Sequence, residues 1–259
     1  MEVITSRDNR LIKYTRRLLS HKGRETERRF ILEGYRLVSE ALKKPQLVDY
    51  LLVSTGYLER CQDEPFVPGI PRYLVSDPVM QAVTGTQTPP GLLAVCRKPV
   101  WNQEEVLAGD SILLIIDNIR DPGNLGTIIR TAWAAGVDAV FLTKGTVDAY
   151  SPKVVRSTMG AVLNLPLFDR VEPGEVGELR ARGYRFLLAE PEGREFFYDA
   201  DYRGKVALVI GGEATGISEG FRDIGTGGIR IPLRPGVDSL NAAVACGIIL
   251  YAAWQQRRL

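Results

Sequence analysis

The chain has 259 residues, 45% of them hydrophobic and 25% charged, and a formal net charge of +2. These values are ordinary for a globular protein and leave room for one large domain or two modest ones. Three widely spaced cysteines exclude a disulfide framework, and a single histidine (His21) argues against a bound metal. No apolar run is long enough to span a membrane, so we expect a soluble, cytoplasmic protein.

The first predicted element is a basic amphipathic helix. Residues 1–29 carry nine Lys and Arg against four acidic residues, and the apolar spacing over 10–22 is helical. A basic helix face is most often simply solvated, but it also suits contacts with the phosphates of a nucleic acid. The candidates for such contacts are Arg7, Arg10, Lys13, Arg16 and Arg17.

The remainder of the first 98 residues has the pattern of a small α/β domain. Its segments are a short apolar stretch (30–34), a helix ended by Pro45 (35–44), two strands (47–54 and 91–98) and a loop rich in Gly, Thr and Pro (84–91). We therefore predict a first domain over residues 1–98, followed by a linker over residues 99–109.

Strand and helix patterns alternate through the rest of the chain. Apolar runs predict strands at 111–117, 137–143, 184–190, 206–213 and 229–233. Helical patterns follow the first of these strands and recur at 150–162, 177–183 and 239–258. This alternation predicts a parallel sheet covered on both faces, in a second domain over residues 110–259.

Three of the predicted strands end in loops of unusual composition, at 117–132, 210–218 and 231–243. None of the loops matches the dinucleotide-binding or phosphate-binding glycine motifs, and a single glycine-rich turn is weak evidence of a site. Ligands of open α/β sheets bind at the carboxyl ends of strands, however. Three such loops in succession therefore predict one shared site.

Particular residues in these loops have expected structural roles. Asn124 is predicted to cap the helix that contains Arg130, and the paired glycines Gly211 and Gly212 to let a ligand approach the main chain. Ser239 is predicted to cap the last helix, with Asn241 two residues inside it.

At these loops the sequence resembles the SpoU branch of the SPOUT RNA methyltransferases, the TrmH-type ribose 2′-O-methyltransferases. The segments NIRDPGNLGTIIRTA, LVIGGEATGIS and IPLRPGVDSLNAAVACGIILY resemble the three motifs of that family, in order and with good spacing over residues 111–257. The segment FILEGYRLVSEAL resembles, more loosely, the family's substrate-binding domain, which is similar to an RNA-binding ribosomal protein.

The resemblance implies that the C-terminal sheet is threaded into a deep trefoil knot. It also implies a homodimer whose active site lies near the subunit interface, and S-adenosylmethionine as the cofactor, with no metal. The cofactor would lie between loops 209–213, 229–234 and 238–242, with Lys144 beside the same cavity. The residues implied to bind it are Thr143, Ile210, Gly211, Gly212, Glu213, Ile231, Leu233, Ser239 and Leu240.

The implied reaction is methyl transfer to a ribose 2′-hydroxyl of structured RNA. Because arginine scarcely deprotonates, we interpret Arg130 as a ligand of an RNA phosphate that stabilises the developing alkoxide, not as the base. Asn124 would position Arg130 or the ribose, and Glu213 would orient Arg130 or Asn124. Ser239 and Asn241 would fix the cofactor and the ribose.

The N-terminal domain is expected to select the RNA. Its presence favours ribosomal over transfer RNA, since the transfer-RNA relatives often lack such a domain. Two alternatives on the same fold are a transfer-RNA 2′-O-methyltransferase and a non-catalytic RNA-binding protein. A nucleotide-dependent oxidoreductase is a third alternative, although the glycine fingerprint of that class is missing.

Overall fold

The computed structural model of the chain describes residues 2–60, 67–213 and 215–258. Within them the strands are β1 (Val3–Ile4), β2 (Arg29–Glu33), β3 (Val48–Ser54), β4 (Arg72–Val75), β5 (Leu92–Arg97), β6 (Ile112–Asp117), β7 (Ala139–Thr143), β8 (Leu167–Val171), β9 (Arg185–Ala189), β10 (Glu195–Phe196), β11 (Val206–Gly211) and β12 (Gly227–Arg230). The α-helices are α1 (Arg10–Arg17), α2 (His21–Glu27), α3 (Tyr35–Leu42), α4 (Thr55–Arg60), α5 (Asp77–Val83), α6 (Gln103–Leu107), α7 (Pro122–Ala134), α8 (Pro152–Thr158), α9 (Pro173–Gly177), α10 (Glu219–Ile224) and α11 (Ala242–Arg258). No helix in this part of the chain is long and apolar enough to cross a membrane.

The chain forms two compact units. The first unit comprises Met1–Val100 together with Asp148–Leu163, and the second comprises Trp101–Val147 together with Asn164–Leu259. Residues 99–109, expected to form a linker, contain α6, whose Leu107 is buried in the core of the second unit.

The first unit is built on a mixed sheet in the order β1-β4-β3-β5-β2. Strands β1, β4 and β3 are parallel, and β5 runs antiparallel to both β3 and β2. Ile12 and Leu18 of the basic N-terminal segment are fully buried in the core on one face of this sheet. The amphipathic interpretation of that segment is therefore confirmed, since burial of its apolar side chains holds it against the sheet.

The basic segment is two helices, where the sequence predicts one helix over 10–22. Helix α1 ends at Arg17, and the Ser20 hydroxyl accepts a hydrogen bond from the Gly23 amide at 3.1 Å, which caps α2. Serine competes well for amide donors at a helix start, so it begins a second helix where apolar periodicity alone predicts a continuous one.

Residues 148–163, which we term the inserted segment, are part of the first unit although their neighbours in the sequence belong to the second. The Arg24 guanidinium forms a buried ion pair with the Asp148 carboxylate at 2.6 Å. The Lys44 ammonium donates to the Leu163 carbonyl at 2.8 Å. Both ends of the inserted segment are thus held by basic side chains from the first 100 residues.

The second unit contains the predicted parallel sheet, in the order β10-β12-β9-β11-β6-β7-β8. Every pair of neighbouring strands in it is parallel, which confirms the prediction. The chain enters at β6, adds β7 and β8 on one side, and continues with the remaining strands on the other. This reversal of direction creates a topological switch point at the carboxyl ends of β6 and β11, where ligands of such sheets bind.

Candidate functional site

One pocket opens at this end of the second unit's sheet. Its walls come from the ends of β9, β11 and β12, from the loop that follows β12, and from the start of α11. Eight of the nine residues expected to bind a cofactor line it: Ile210, Gly211, Gly212, Glu213, Ile231, Leu233, Ser239 and Leu240. Ala189, Glu190 and Pro191 also line the pocket, at and just after the end of β9; they were not predicted to do so, although the strand itself was.

Thr143 lies elsewhere, so its predicted place in the pocket needs correction. Its hydroxyl donates to Asp117 Oδ1 at 3.1 Å, and the other oxygen of this carboxylate accepts from the Ser218 amide at 2.7 Å. Asp117 is almost fully buried at the end of β6. It therefore fastens the loop after β11 to two neighbouring strands. The signal in the sequence is an acidic residue that closes an otherwise apolar run.

Gly211 and Gly212, which line the pocket, also have a structural role that was not predicted. A side chain at Gly211 would collide with the main chain of Gly216, and one at Gly212 would place its Cβ 2.6 Å from the Asn118 carbonyl oxygen. The Gly216 amide also donates to the Gly212 carbonyl at 2.8 Å. Glycine is thus required here so that the turn can fold on itself and pack beside the loop after β6.

Asn124, Glu213 and Asn241 form a triangle of hydrogen bonds that joins the three motif loops. The Asn124 amide Nδ2 donates to Glu213 Oε1 at 2.7 Å, and Asn241 Nδ2 donates to the same oxygen at 2.9 Å. Asn241 Nδ2 also lies 3.0 Å from Asn124 Oδ1, which accepts from it. The expected contact between Glu213 and Asn124 is therefore present, and the three loops do converge.

The helix caps differ from those predicted in both motif helices. Asp121 caps α7, because its carboxylate accepts from the Asn124 amide at 2.7 Å and Pro122 fits the first helical position. Asn241 caps α11, since its Oδ1 accepts from the amides of the second and third helical residues at 3.0 and 3.3 Å. Asn124 is therefore in the first turn of α7, and Ser239 precedes the cap of α11 and lines the pocket.

Arg130 is exposed on α7 and is not part of the triangle. Six residues separate it from Asn124, which on a helix is about 9 Å along the axis and a third of a turn around it. Among the residues described, no hydrogen bond or ion pair holds its guanidinium, and Glu213 contacts Asn124 and Asn241 instead. The side chain is therefore open to a phosphate or to another chain.

The predicted RNA-contacting residues Arg7, Arg10, Lys13, Arg16 and Arg17 are all exposed. Lys13 makes an exposed ion pair with Asp8 at 2.8 Å. Exposed pairs of this kind contribute little stability, so a phosphate can replace the acid at small cost. Other basic residues of the segment, such as Arg24 and Arg29, are committed to structural ion pairs.

A comparison with protein families identifies both parts of the chain. The SpoU rRNA Methylase family model matches residues 111–251, a range that includes all three motif loops. The chain belongs to this family. Residues 9–94 also match the MRM3-like substrate binding domain. The membership confirms the resemblance seen in the sequence and leaves the oxidoreductase alternative without support.

Relatives in the SpoU family resemble the chain along nearly its full length. The 23S rRNA (guanosine(2553)-2′-O)-methyltransferase RlmP of Bacillus subtilis is 37% identical, over 97% of this chain and 98% of that protein. The mitochondrial rRNA methyltransferase 3 of Homo sapiens is 31% identical, over 97% of this chain and 73% of that protein.

Solved structures of SpoU family members have the same fold. The AdoMet-bound rRNA methyltransferase of Sinorhizobium meliloti aligns with a TM-score of 0.84 and 29% identity, covering 98% of this chain and 97% of that one. The methyltransferase AviRb of Streptomyces viridochromogenes, in complex with AdoMet, aligns with a TM-score of 0.85 and 26% identity, covering 96% of this chain and 98% of that one.

Proposed function

We propose that the chain transfers a methyl group from S-adenosylmethionine to a ribose 2′-hydroxyl of ribosomal RNA. The observation that carries this proposal is the convergence of the three motif loops on one pocket, with Asn124, Glu213 and Asn241 joined at its edge. Relatives that match nearly the whole chain are named as ribosomal RNA methyltransferases, which supports ribosomal over transfer RNA as the substrate.

The pocket fits an adenosine-containing cofactor. Its walls are apolar side chains, among them Ile210, Ile231 and Leu240, which suit a flat heterocycle. Within the described part of the chain, the main-chain groups of residues 231–240 form one main-chain hydrogen bond, from the Val237 amide to the Arg234 carbonyl. This loop is largely exposed, so its other main-chain amide and carbonyl groups are available to bind the polar edge of a base.

The triangle fixes the orientation of the amide that faces the reacting ribose. When bound, S-adenosylmethionine supplies a methyl group that is already activated for in-line displacement. Asn124 uses one amide hydrogen for Glu213 and its oxygen for Asn241, which leaves one N–H free to donate to the ribose. Arg130 would bind an RNA phosphate and stabilise the negative charge that develops on the attacking oxygen.

The proposal includes a homodimer. Trp133 on α7 and both Val244 and Tyr251 on α11 are large apolar side chains that are about half exposed, and these two helices pack together. Large exposed apolar side chains on two helices that pack together suit a protein interface. Because Arg130 precedes Trp133 by three residues on one helix, such an interface would bring Arg130 beside the partner subunit. Light scattering should give twice the mass of one chain, and Trp133→Glu should halve it.

The knotted threading of the C-terminal strands and a cytoplasmic location complete the proposal. The knot is inferred from the resemblance to the SPOUT methyltransferases, which implies that the C-terminal part of the sheet is threaded in this way. Localisation follows from composition alone. A fluorescent fusion to the C-terminus would test the location.

Transfer of tritium from methyl-labelled S-adenosylmethionine to RNA tests the activity. Ribosomal RNA from cells that lack the protein should accept label from the purified chain, and transfer RNA from the same cells should not. Mapping of ribose methylation in RNA from cells with and without the gene then identifies the nucleotide. Label on transfer RNA alone would support the first alternative, and no label on either RNA, from a chain that binds the cofactor, would support the non-catalytic one.

A further inference from the structure

One carboxylate on the pocket wall has no role in the triangle. Glu190 directly follows β9 and lines the pocket, although it lies outside the three motif loops. Its main chain is fixed on both sides, since its amide donates to the Ile229 carbonyl at 3.0 Å and its carbonyl accepts from the Gly193 amide at 3.1 Å. The backbone that carries this side chain is therefore held between β9 and β12.

Glu213, the other carboxylate of the pocket, is less available to a ligand than Glu190. Among the described lining residues, the polar side chains are those of Glu190, Glu213 and Ser239. Glu213 Oε1 already accepts from Asn124 and from Asn241. Glu190 is the lining carboxylate that the pocket does not use to join its own loops.

Arg222 holds the Glu190 carboxylate from α10. Its Nε donates to Glu190 Oε1 at 2.9 Å, and the Glu190 side chain is 24% exposed against 55% for Arg222. No hydrogen bond to the second oxygen, Oε2, is formed by the described residues. The guanidinium balances the negative charge, so the pair does not attract a cation strongly, but the oxygens still accept hydrogen bonds.

We propose that Glu190, held by Arg222, binds the ribose hydroxyls of the S-adenosylmethionine cofactor. This inference rests on the proposed function. A carboxylate with a free oxygen matches two neighbouring hydroxyls, and an acidic residue at a strand end binds a nucleoside ribose in this manner in doubly wound folds. Glu190 thus determines specificity for a ribonucleoside ligand, while the apolar walls accept the base.

Calorimetric binding of S-adenosylhomocysteine to the full-length chain tests the proposal. Glu190→Ala should weaken binding by about tenfold to a hundredfold, because a hydrogen bond to a charged acceptor is lost. The matched control is Glu192→Ala, which removes an exposed carboxylate two residues away that does not line the pocket. This control should bind as the wild type does, and thermal unfolding of both variants should match the wild type.

A second ligand makes the test specific for the ribose. The 2′,3′-dideoxy analogue of S-adenosylhomocysteine should bind the wild type weakly, and Glu190→Ala should weaken its binding no further. Equal weakening of both ligands, or wild-type affinity of Glu190→Ala for S-adenosylhomocysteine, would overturn the assignment and leave the proposed function standing. A wild-type chain that binds neither ligand would overturn both, and one that binds normally but methylates no RNA would overturn only the proposed function.

Discussion

Replacement of Arg24 by alanine is expected to destabilise the first unit severely. The Arg24 side chain is 4% exposed and that of its partner Asp148 is 10% exposed. The guanidinium donates through Nε and Nη2 to Asp148 Oδ2 at 2.8 and 2.6 Å, and through Nη1 to the carbonyls of Leu18 and Leu19 at 2.8 Å each. All of these acceptors lose their donor in Arg24→Ala.

The magnitude follows from the charge left behind. Removal of one partner of a buried ion pair costs about 3–5 kcal/mol, because the other charge remains buried without compensation. Arg24→Ala should therefore lose about 4 kcal/mol of unfolding free energy, a large fraction of the about 5–15 kcal/mol that stabilises a typical domain. The double variant Arg24→Ala with Asp148→Asn should recover part of the loss, since asparagine removes the orphaned charge and can still accept from the Tyr150 amide.

Hydrogen exchange measured by mass spectrometry is the suitable assay because it resolves the two units. Amides of β2 and β5 should lose protection in Arg24→Ala. The matched control is Lys22→Ala, an exposed position on the same helix, which should leave exchange unchanged. A loss below about 1 kcal/mol, the range of exposed ion pairs, or an equal effect of Lys22→Ala would refute the reasoning.

Three further outcomes are expected. Asn241→Ala should cost about 1 kcal/mol in urea unfolding through loss of the α11 cap, and should also lower methyl transfer; an unchanged rate would remove the triangle from catalysis. Arg130→Lys should lower the rate of methyl transfer at least about a hundredfold with unchanged thermal stability, because lysine lacks the paired N–H donors of the guanidinium; near-normal turnover would exclude Arg130 from the chemistry. Burial raises the pKa of the Cys96 and Cys246 thiols, so iodoacetamide at pH 8 should alkylate neither in the native chain, and an adduct on either by mass spectrometry would contradict this.

Much of the second unit could be predicted from the sequence because its strands are continuous apolar runs. The apolar blocks of β6 and β11, residues 112–116 and 206–210, are buried along their whole length, as is typical of strands in a parallel sheet with both faces covered. The pocket followed from the same pattern, since strand ends in these sheets converge. The positions of Ile231 and Leu240 in its wall were implied by the resemblance to the SpoU family and not by the strand pattern.

The helix caps and the role of Gly212 could not be predicted from the sequence. Asp121, Asn124, Ser239 and Asn241 are all good capping residues, and sequence alone does not say which amide each will reach. The role of Gly212 depends on the Asn118 carbonyl, which is 94 positions away in the chain and is brought close only by the fold. Distant pairings of this kind carry no local signal.

The inserted segment has a consequence for how such proteins can be recombined. The chain passes between its two compact units three times, after residues 100, 147 and 163, so no single cut separates them. Deletion of residues 1–98 would expose the buried side chains of Val154 and Val155 and leave the Asp148 carboxylate without its partner Arg24. A chimera that takes the first unit of a relative would therefore have to exchange two stretches of gene, and transplantation of the first stretch alone should yield an insoluble product.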